Sequence, residues 1–263
     1  MTNQEIARKI LNAQYYYPES YSNLLQTEYG MLFYNEDNPF SQDSNHAVIT
    51  KEDANTDYDG IVRDIKKFYI SKHLPPMIYS NYIPGQLKKI KRSLRKHGFV
   101  FERFDNIYLI HSEEPKIDVP HSLTIRHIEK GDDLSFMFQI WKVNENRQGG
   151  ADRVYNIARQ RKDWADYHLF VGYSEDGTPV TAAALEYFDG IGMVDDVETA
   201  AVYRGKGYAR QLTRHWIDFH NQHYKDRLLY VYYENPTAGK IYREAGFRDF
   251  DWAFESWSAW IDC

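Results

Sequence analysis

Val197-Glu198-Thr199-Ala200-Ala201-Val202-Tyr203-Arg204-Gly205-Lys206-Gly207-Tyr208-Ala209-Arg210 passes from a β-rich run, through a tight glycine turn, into an amphipathic helical segment marked by Leu212, Trp216 and Phe219. A strand that turns directly into a helix aims backbone N–H groups and the positive end of the helix dipole at one point, which makes an anion site. Gly205 and Gly207 let the backbone approach a pyrophosphate closely, and Arg204 and Lys206 add positive charge. Lys206 is not followed by Ser or Thr, and the pattern is not G-x-G-x-x-G, so two common phosphate loops are excluded. By itself the loop also reads as a strand-to-helix turn whose basic residues are solvated.

A second stretch lies about thirty residues on. The β-formers Leu228 to Tyr233 end in Glu234-Asn235-Pro236, and a short helix opens: Asn235-Pro236-Thr237-Ala238-Gly239-Lys240-Ile241-Tyr242-Arg243-Glu244-Ala245-Gly246-Phe247. Together the two stretches resemble the GNAT superfamily of acetyltransferases. Arg204, Gly207 and Ala209 match its motif A, Arg/Gln-x-x-Gly-x-Gly/Ala. Asn235, Ala238, Tyr242, Gly246 and Phe247 match every named position of its motif B. Order and separation match as well, and the resemblance covers roughly Ser122 to Cys263.

The resemblance implies an α/β (α+β) fold: a mixed central sheet flanked by helices, splayed between the strands before and after the motif A helix. It implies acetyl-CoA as co-substrate, direct acetyl transfer to an amine, and no metal. The backbone of Arg204, Gly205, Lys206, Gly207, Tyr208 and Ala209 would hold the pyrophosphate. Val197 and Thr199 would pair through their backbone with the pantetheine arm, and Asn235 would touch the cofactor or fix the strand beside it. Tyr242 would protonate the departing thiolate, a task that suits a phenol because its pKa lies above that of a thiol. An aromatic packed into the core is the alternative for Tyr242. Ala201 stands where many relatives carry proline, which bears on the rigidity of the loop.

An amine attacks only when neutral, so a carboxylate base or water relay is expected near the acceptor. Strand alternation puts Asp196 and Glu198 on one face and Asp195 on the other, unless a bulge intervenes. Glu198 is the favoured base and Asp196 the second. Carboxylates that only bind solvent or position a cationic substrate are the alternative. The only cysteine, Cys263, is remote from both motifs, which disfavours an acyl-thiol route. A CoA-binding regulatory or interaction module without transfer chemistry is the competing reading of the whole.

Composition fits this picture. In 263 residues, 43% are hydrophobic and 16% aromatic, enough for a packed core, and both charge signs are mixed. The net charge of -6 argues against a general nucleic-acid binder. No run approaches eighteen apolar residues and no basic–apolar leader opens the chain, so a cytoplasmic protein without membrane contact is expected. The expected partner is a small-molecule or peptide amine, with the protein a monomer or homodimer. His121, His127, His168, His215, His220 and His223 have no carboxylate or thiolate partner at a metal-binding spacing, so solvated or capping roles are expected for them.

The polar segment His111 to Lys116 reads as a linker, predicting a domain over 1–118 and the GNAT-like domain over 119–263. In the first half, helices are expected over Gln4–Tyr17, Asp57–Tyr69 and Gln86–Lys96, and strands at His46–Ile49, Met77–Tyr79 and Val100–Ile110. Asn81 to Phe99 faintly echoes motif B and ends in the same Gly-Phe, so this half reads as a reduced, cofactor-less GNAT-like copy or an unrelated α/β cap. Lys88, Lys89, Lys91, Arg92, Arg95 and Lys96 are expected to be a solvated helix face. In the second half a hairpin is expected around Ser174-Glu175-Asp176-Gly177, and helical segments on either side of the loop 144–150. Trp141 to Gly150, with Phe254, Trp257 and Trp260, are candidates for the acceptor wall, or for core.

Overall fold

A computed structural model describes residues 1–116, 122–141, 150–162 and 164–261. In chain order the regular elements are α1 (Asn3–Tyr16), β1 (Asn23–Gln26), β2 (Gly30–Tyr34), β3 (His46–Ile49), α2 (Tyr58–Ser71), β4 (Met77–Tyr79), α3 (Gln86–Lys96), β5 (Val100–Phe104) and β6 (Ile107–His111). They continue with β7 (Thr124–Ile128), α4 (Phe136–Ile140), α5 (Gly150–Gln160), β8 (Tyr167–Tyr173), β9 (Pro179–Phe188) and β10 (Ile191–Thr199). The last are α6 (Tyr208–His223), β11 (Leu228–Tyr233), α7 (Pro236–Glu244), β12 (Phe247–Asp249) and β13 (Ser256–Trp260).

The chain forms two compact units, but not by the single cut expected near residue 118. The larger unit takes Met1–Ala13 with Asn106–Asp251, and the smaller takes Gln14–Asp105 with Trp252–Cys263. The larger unit's seven-stranded sheet runs β12-β6-β11-β10-β9-β8-β7, and the smaller unit's six-stranded sheet runs β1-β2-β3-β4-β13-β5. Thus β6, read as the end of the first half, lies between β11 and β12. Likewise β13, read as the end of the second half, lies between β4 and β5.

Burial explains both placements. Tyr108 and Leu109 of β6 are covered in the larger unit, and Trp257 and Ala259 of β13 join the core of the smaller one. Trp257 is therefore core. The expected linker is also structural. Ser112 and Glu113 donate their backbone N–H groups to the Gly246 carbonyl, and Lys116 donates to that of Glu244. The cut at 118/119, His121, the loop 144–149 and Cys263 lie outside the described residues.

In the larger unit, side chains alternate along β9. Ala183 and Leu185 face α6 and α7, packing with Leu212, Trp216, Ile217 and Tyr242, while Ala182 and Ala184 face α4 and α5. Nearly all of β8 and β9 is buried, as expected of central strands covered on both faces. Buried apolar area of this kind stabilises at roughly 25 cal/mol per Å². The expected hairpin closes through Ser174, whose N–H donates to the Thr178 carbonyl. In the smaller unit, Ile61, Ile65, Leu87, Ile90 and Leu94 from α2 and α3 cover one face of the sheet. Lys88, Lys91, Arg92 and Arg95 are exposed, as the helical spacing predicts, and Lys89 and Lys96 pair with Glu52 and Asp59. Among the described residues no helix is long and apolar enough to cross a membrane.

Candidate functional site

The parallel strands β10 and β11 are in register only through Ile191↔Leu228, Gly192↔Leu229 and Met193↔Tyr230. Beyond Met193 the register with β11 ends, while β10 keeps its antiparallel pairing with β9 to Thr199↔Thr181. The sheet therefore opens between β10 and β11, as the resemblance implies. A cleft of about 470 Å³ lies at the opening, lined by residues that include Val197, Glu198, Thr199, Tyr203, Arg204 and Gly205. The start of α6 (Gly207, Tyr208, Ala209, Arg210, Thr213) and the start of α7 with its cap (Asn235, Thr237, Ala238, Ile241, Tyr242) complete the wall.

The turn into α6 has the geometry an anion needs. Gly205 and Gly207 sit at φ of +80° and +82°, in the left-handed region that glycine adopts without strain. Gly207 is the residue preceding α6, and no side chain caps that end. The first N–H groups of the helix are therefore not satisfied by a side-chain cap. A Cβ at either glycine would meet no atom within 4 Å, so the space beside them is open. The Thr213 hydroxyl, one turn on and on the cleft side of α6, is buried with no hydrogen-bond partner among the described residues. A buried hydroxyl left unpaired is costly, and a polar ligand in the cleft would satisfy it.

At the start of α7 the Asn235 side chain accepts a bond from the Thr237 N–H at 2.9 Å, and Pro236 takes the first helical position. Gly239 brings α7 close to β11, since a Cβ there would lie 2.3 Å from the Tyr233 ring. These contacts aim Tyr242 at the opening. It is 5% exposed, and burial first, then the charge of Asp195, raises its pKa above that of an ordinary phenol. Tyr242 is thus both packed in the core and a wall of the cleft.

The acidic residues are arranged differently from simple alternation. Asp195 pairs with Ala184 and Glu198 with Ala182, so β10 carries one extra residue here, a β-bulge. Asp196, in the bulge, has φ of +49°. The bulge puts Asp195 and Glu198, not Asp196 and Glu198, on a common face, the one that carries Ala182 and Ala184 toward α4 and α5. Glu198 lines the cleft, but its carboxylate accepts bonds from Arg204 at 2.8 Å and from the Thr199 N–H at 3.0 Å. Arg204 also donates to the Thr199 carbonyl at 2.9 Å. Asp196 lies 3.9 Å from Arg153 and is not part of the cleft wall, and nor is Lys206, whose ammonium sits 5.0 Å above the Tyr203 ring.

Asp195 is likewise absent from the cleft wall. Burial first and the charge of Asp195 second raise the pKa of Tyr242, and Asp195 is a lesser contributor at Tyr167 and Glu186, where burial dominates. Glu186 itself is held by Arg161 in a buried two-bond pair, and burial pushes its carboxyl up to about 7. Sequence reasoning named Asp195 without assigning it a role, because only the bulge reveals its face. Tyr203, Arg210, Thr213, Thr237 and Ile241 were missed as wall residues. Thr213 lies one helical turn beyond Ala209, and Arg210 and Thr237 are close in sequence to Ala209 and Asn235, whereas Tyr203 precedes the loop and carried no such signal.

His168 and His220 are buried rather than solvated. His168 Nε2 lies 2.7 Å from the Tyr224 hydroxyl, and Tyr187 bonds His220 Nδ1 at 2.9 Å. Both rings are pushed down to about 4, chiefly by burial. His127, His215 and His223 are exposed. Among the described residues no group of three or more His, Cys, Asp or Glu is placed to hold a metal ion.

Comparison with known proteins agrees with this geometry. No curated protein matches the sequence. A GCN5-related N-acetyltransferase from Kribbella flavida superposes with a TM-score of 0.70 at 16% identity, over 98% of this chain and 96% of that one. A functionally unknown conserved protein from Staphylococcus epidermidis gives 0.66 at 12% identity, over 92% and 95%. A tandem GNAT protein from the clavulanic acid biosynthesis pathway gives 0.50 at 12%, over 82% and 74%. At these identities the likeness is one of fold, and it extends over both units. Residues 134–247, which carry the loop, both parting strands and Tyr242, match the acetyltransferase (GNAT) family and form a domain of it.

Proposed function

We propose that the protein transfers an acetyl group from acetyl-CoA to an amine, with the donor held in the cleft between β10 and β11. The observation that carries this reading is the coincidence, in one cleft, of an uncapped helix start behind two left-handed glycines with a protonated, buried Tyr242. The N–H groups at the start of α6 would hold the pyrophosphate, with Arg204 at the rim. The edge of β10 from Val197 to Thr199 would meet the pantetheine arm, and the Thr213 hydroxyl would find its partner on the ligand. Bound acetyl-CoA supplies a thioester, an activated acyl group with a thiolate leaving group.

Tyr242 then acts as the general acid. Its raised pKa keeps it protonated at neutral pH, so it can donate to the departing sulfur. We assign the base to Asp195, whose charge acts on Tyr242 and which the bulge turns to the α4–α5 face. Asp195 would take the acceptor's proton, directly or through water, so that a neutral amine attacks. Glu198, tied to Arg204, would position the loop. A carboxylate base at Asp195 would also favour a cationic acceptor.

The test is release of free thiol from acetyl-CoA with a panel of primary amines, wild type against Tyr242→Phe. Amine-dependent release that collapses in the variant supports the reading. Tight CoA binding with no release for any amine would favour a binding module instead.

A further inference from the structure

The smaller unit repeats the element order of the larger. The succession β3–α2–β4–α3–β5 matches β10–α6–β11–α7–β12, the first two strands are parallel in each, and an antiparallel strand is inserted before the third. Even the ends agree. Gly98, φ +83°, and the buried Phe99 follow α3, as Gly246, φ +92°, and Phe247 follow α7. The two units nevertheless differ at both places where a nucleotide cofactor needs room.

The first place is the helix start. Where α6 begins behind an uncapped Gly207, α2 begins behind Asp57, whose carboxylate accepts from the Gly60 N–H at 3.0 Å. The carboxylate lies so close that a Cβ on Gly60 would meet it at 2.4 Å. An anion of the chain's own already occupies the positive end of that helix, and a second would be repelled. The preceding loop carries Glu52, Asp53 and Asp57 with Lys51, against Arg204 and Lys206 in the larger unit, where Arg210 adds charge in the first turn of α6.

The second place is between the parting strands. The register of β3 with β4 covers Ala47↔Ile78 and Val48↔Tyr79. Just beyond it, the fully buried Gln86 side chain donates to the Ile49 carbonyl at 2.7 Å and accepts from the Asn81 N–H at 3.0 Å. Gln86 is the first residue of α3. The first residue of α7 is Pro236, whose ring offers no such bridge.

We propose that the smaller unit is a second copy of the cofactor cleft held shut by its own side chains, Asp57 filling the anion position and Gln86 bridging the strands where an extended arm would pair. The chain therefore binds one coenzyme A, through the larger unit alone. The inference about stoichiometry rests on the function proposed above; the closure of the smaller cleft does not.

Calorimetric titration of the full chain with coenzyme A tests the first part. One equivalent is expected, and Gly207→Asp, which puts a carboxylate at the start of α6, should weaken it at least 100-fold and well beyond Gly207→Ala, which carries the same backbone strain without the charge. A second equivalent, or full binding retained in Gly207→Asp, overturns the proposal. Thermal melting tests the second part. Gln86→Leu and Asp57→Ala should each lower the unfolding midpoint by several degrees, with coenzyme A affinity unchanged. Midpoints unmoved in both variants overturn the closure. A chain with no affinity for coenzyme A would sink the proposed function, and the melting experiment would then decide this inference alone.

Discussion

Tyr242 lines the opening and Asp195 of β10 acts on it through its charge, and each carries its own prediction. Replacing Tyr242 by Phe keeps the packed ring and removes only the proton. The account expects kcat to fall by about 10²–10⁴-fold with coenzyme A affinity unchanged. A variant at wild-type kcat would make Tyr242 only a packing residue. Because burial and Asp195 raise its pKa, the phenol stays protonated beyond the ordinary range. The rate should therefore hold as pH rises to about 10, and an alkaline fall centred well below that would contradict the assignment. Asp195→Asn should lower kcat/KM by about 10²-fold and remove the acidic limb of the pH–rate profile. Glu198→Gln should cost little, since its partner Arg204 is more than half exposed and such pairs contribute about 0–1 kcal/mol. The reverse order of effects would return the base to Glu198. Most residues around the cleft were legible because motifs fix residue types at fixed spacing. Asp195 was not, since its role depends on one extra residue in β10 that alternation cannot place.

At the scale of elements, the helix-to-strand turn after α7 is tightly constrained. Gly246 combines φ of +92° with a backbone neighbour, and a Cβ there would lie 2.1 Å from the Glu113 carbonyl oxygen. Its own carbonyl accepts the N–H groups of Ser112 and Glu113. Gly246→Ala should destabilise by about 3 kcal/mol or more, since a positive φ and a backbone clash act together. Denaturant unfolding measures this, and a loss under 1 kcal/mol would mean that the 111–116 segment gives way freely. The helices and the hairpin follow their apolar periodicity closely, whereas β1 and β2 carried no reading. Buried on nearly every residue, β2 does not alternate, and β1 is mostly exposed. The helical region expected from Asp132 shortened to Phe136–Ile140 within the described residues, with Ser135 bonded to Asp133 before it. Short polar side chains that bond the local backbone compete with a helix start in this way.

At the scale of the molecule, sequence distance misled where burial decided. Strands β6 and β13 sit in sheets remote from their sequence neighbours because their apolar residues complete those cores, which no local pattern records. Acid stability is also set at this scale. His46 in the smaller unit and His168 and His220 in the larger are neutral in the fold, each with a pKa pushed down to about 4. An unfolded chain protonates them near pH 6.5, so their contribution is complete above that value and is lost as pH falls toward 4. The loss should be roughly 1–3 kcal/mol for each ring. Melting curves from pH 7 to 4 should show a steep fall in midpoint, and a flat profile would contradict the burial of these rings. The central claim, that the opening between β10 and β11 holds the donor, is tested most directly by amide chemical shifts during a titration with coenzyme A. The account predicts the largest changes at Val197, Thr199, Gly205, Gly207 and Ala209, with Asp57 and Gln86 unmoved. Changes centred elsewhere, or none at saturating coenzyme A, would contradict it.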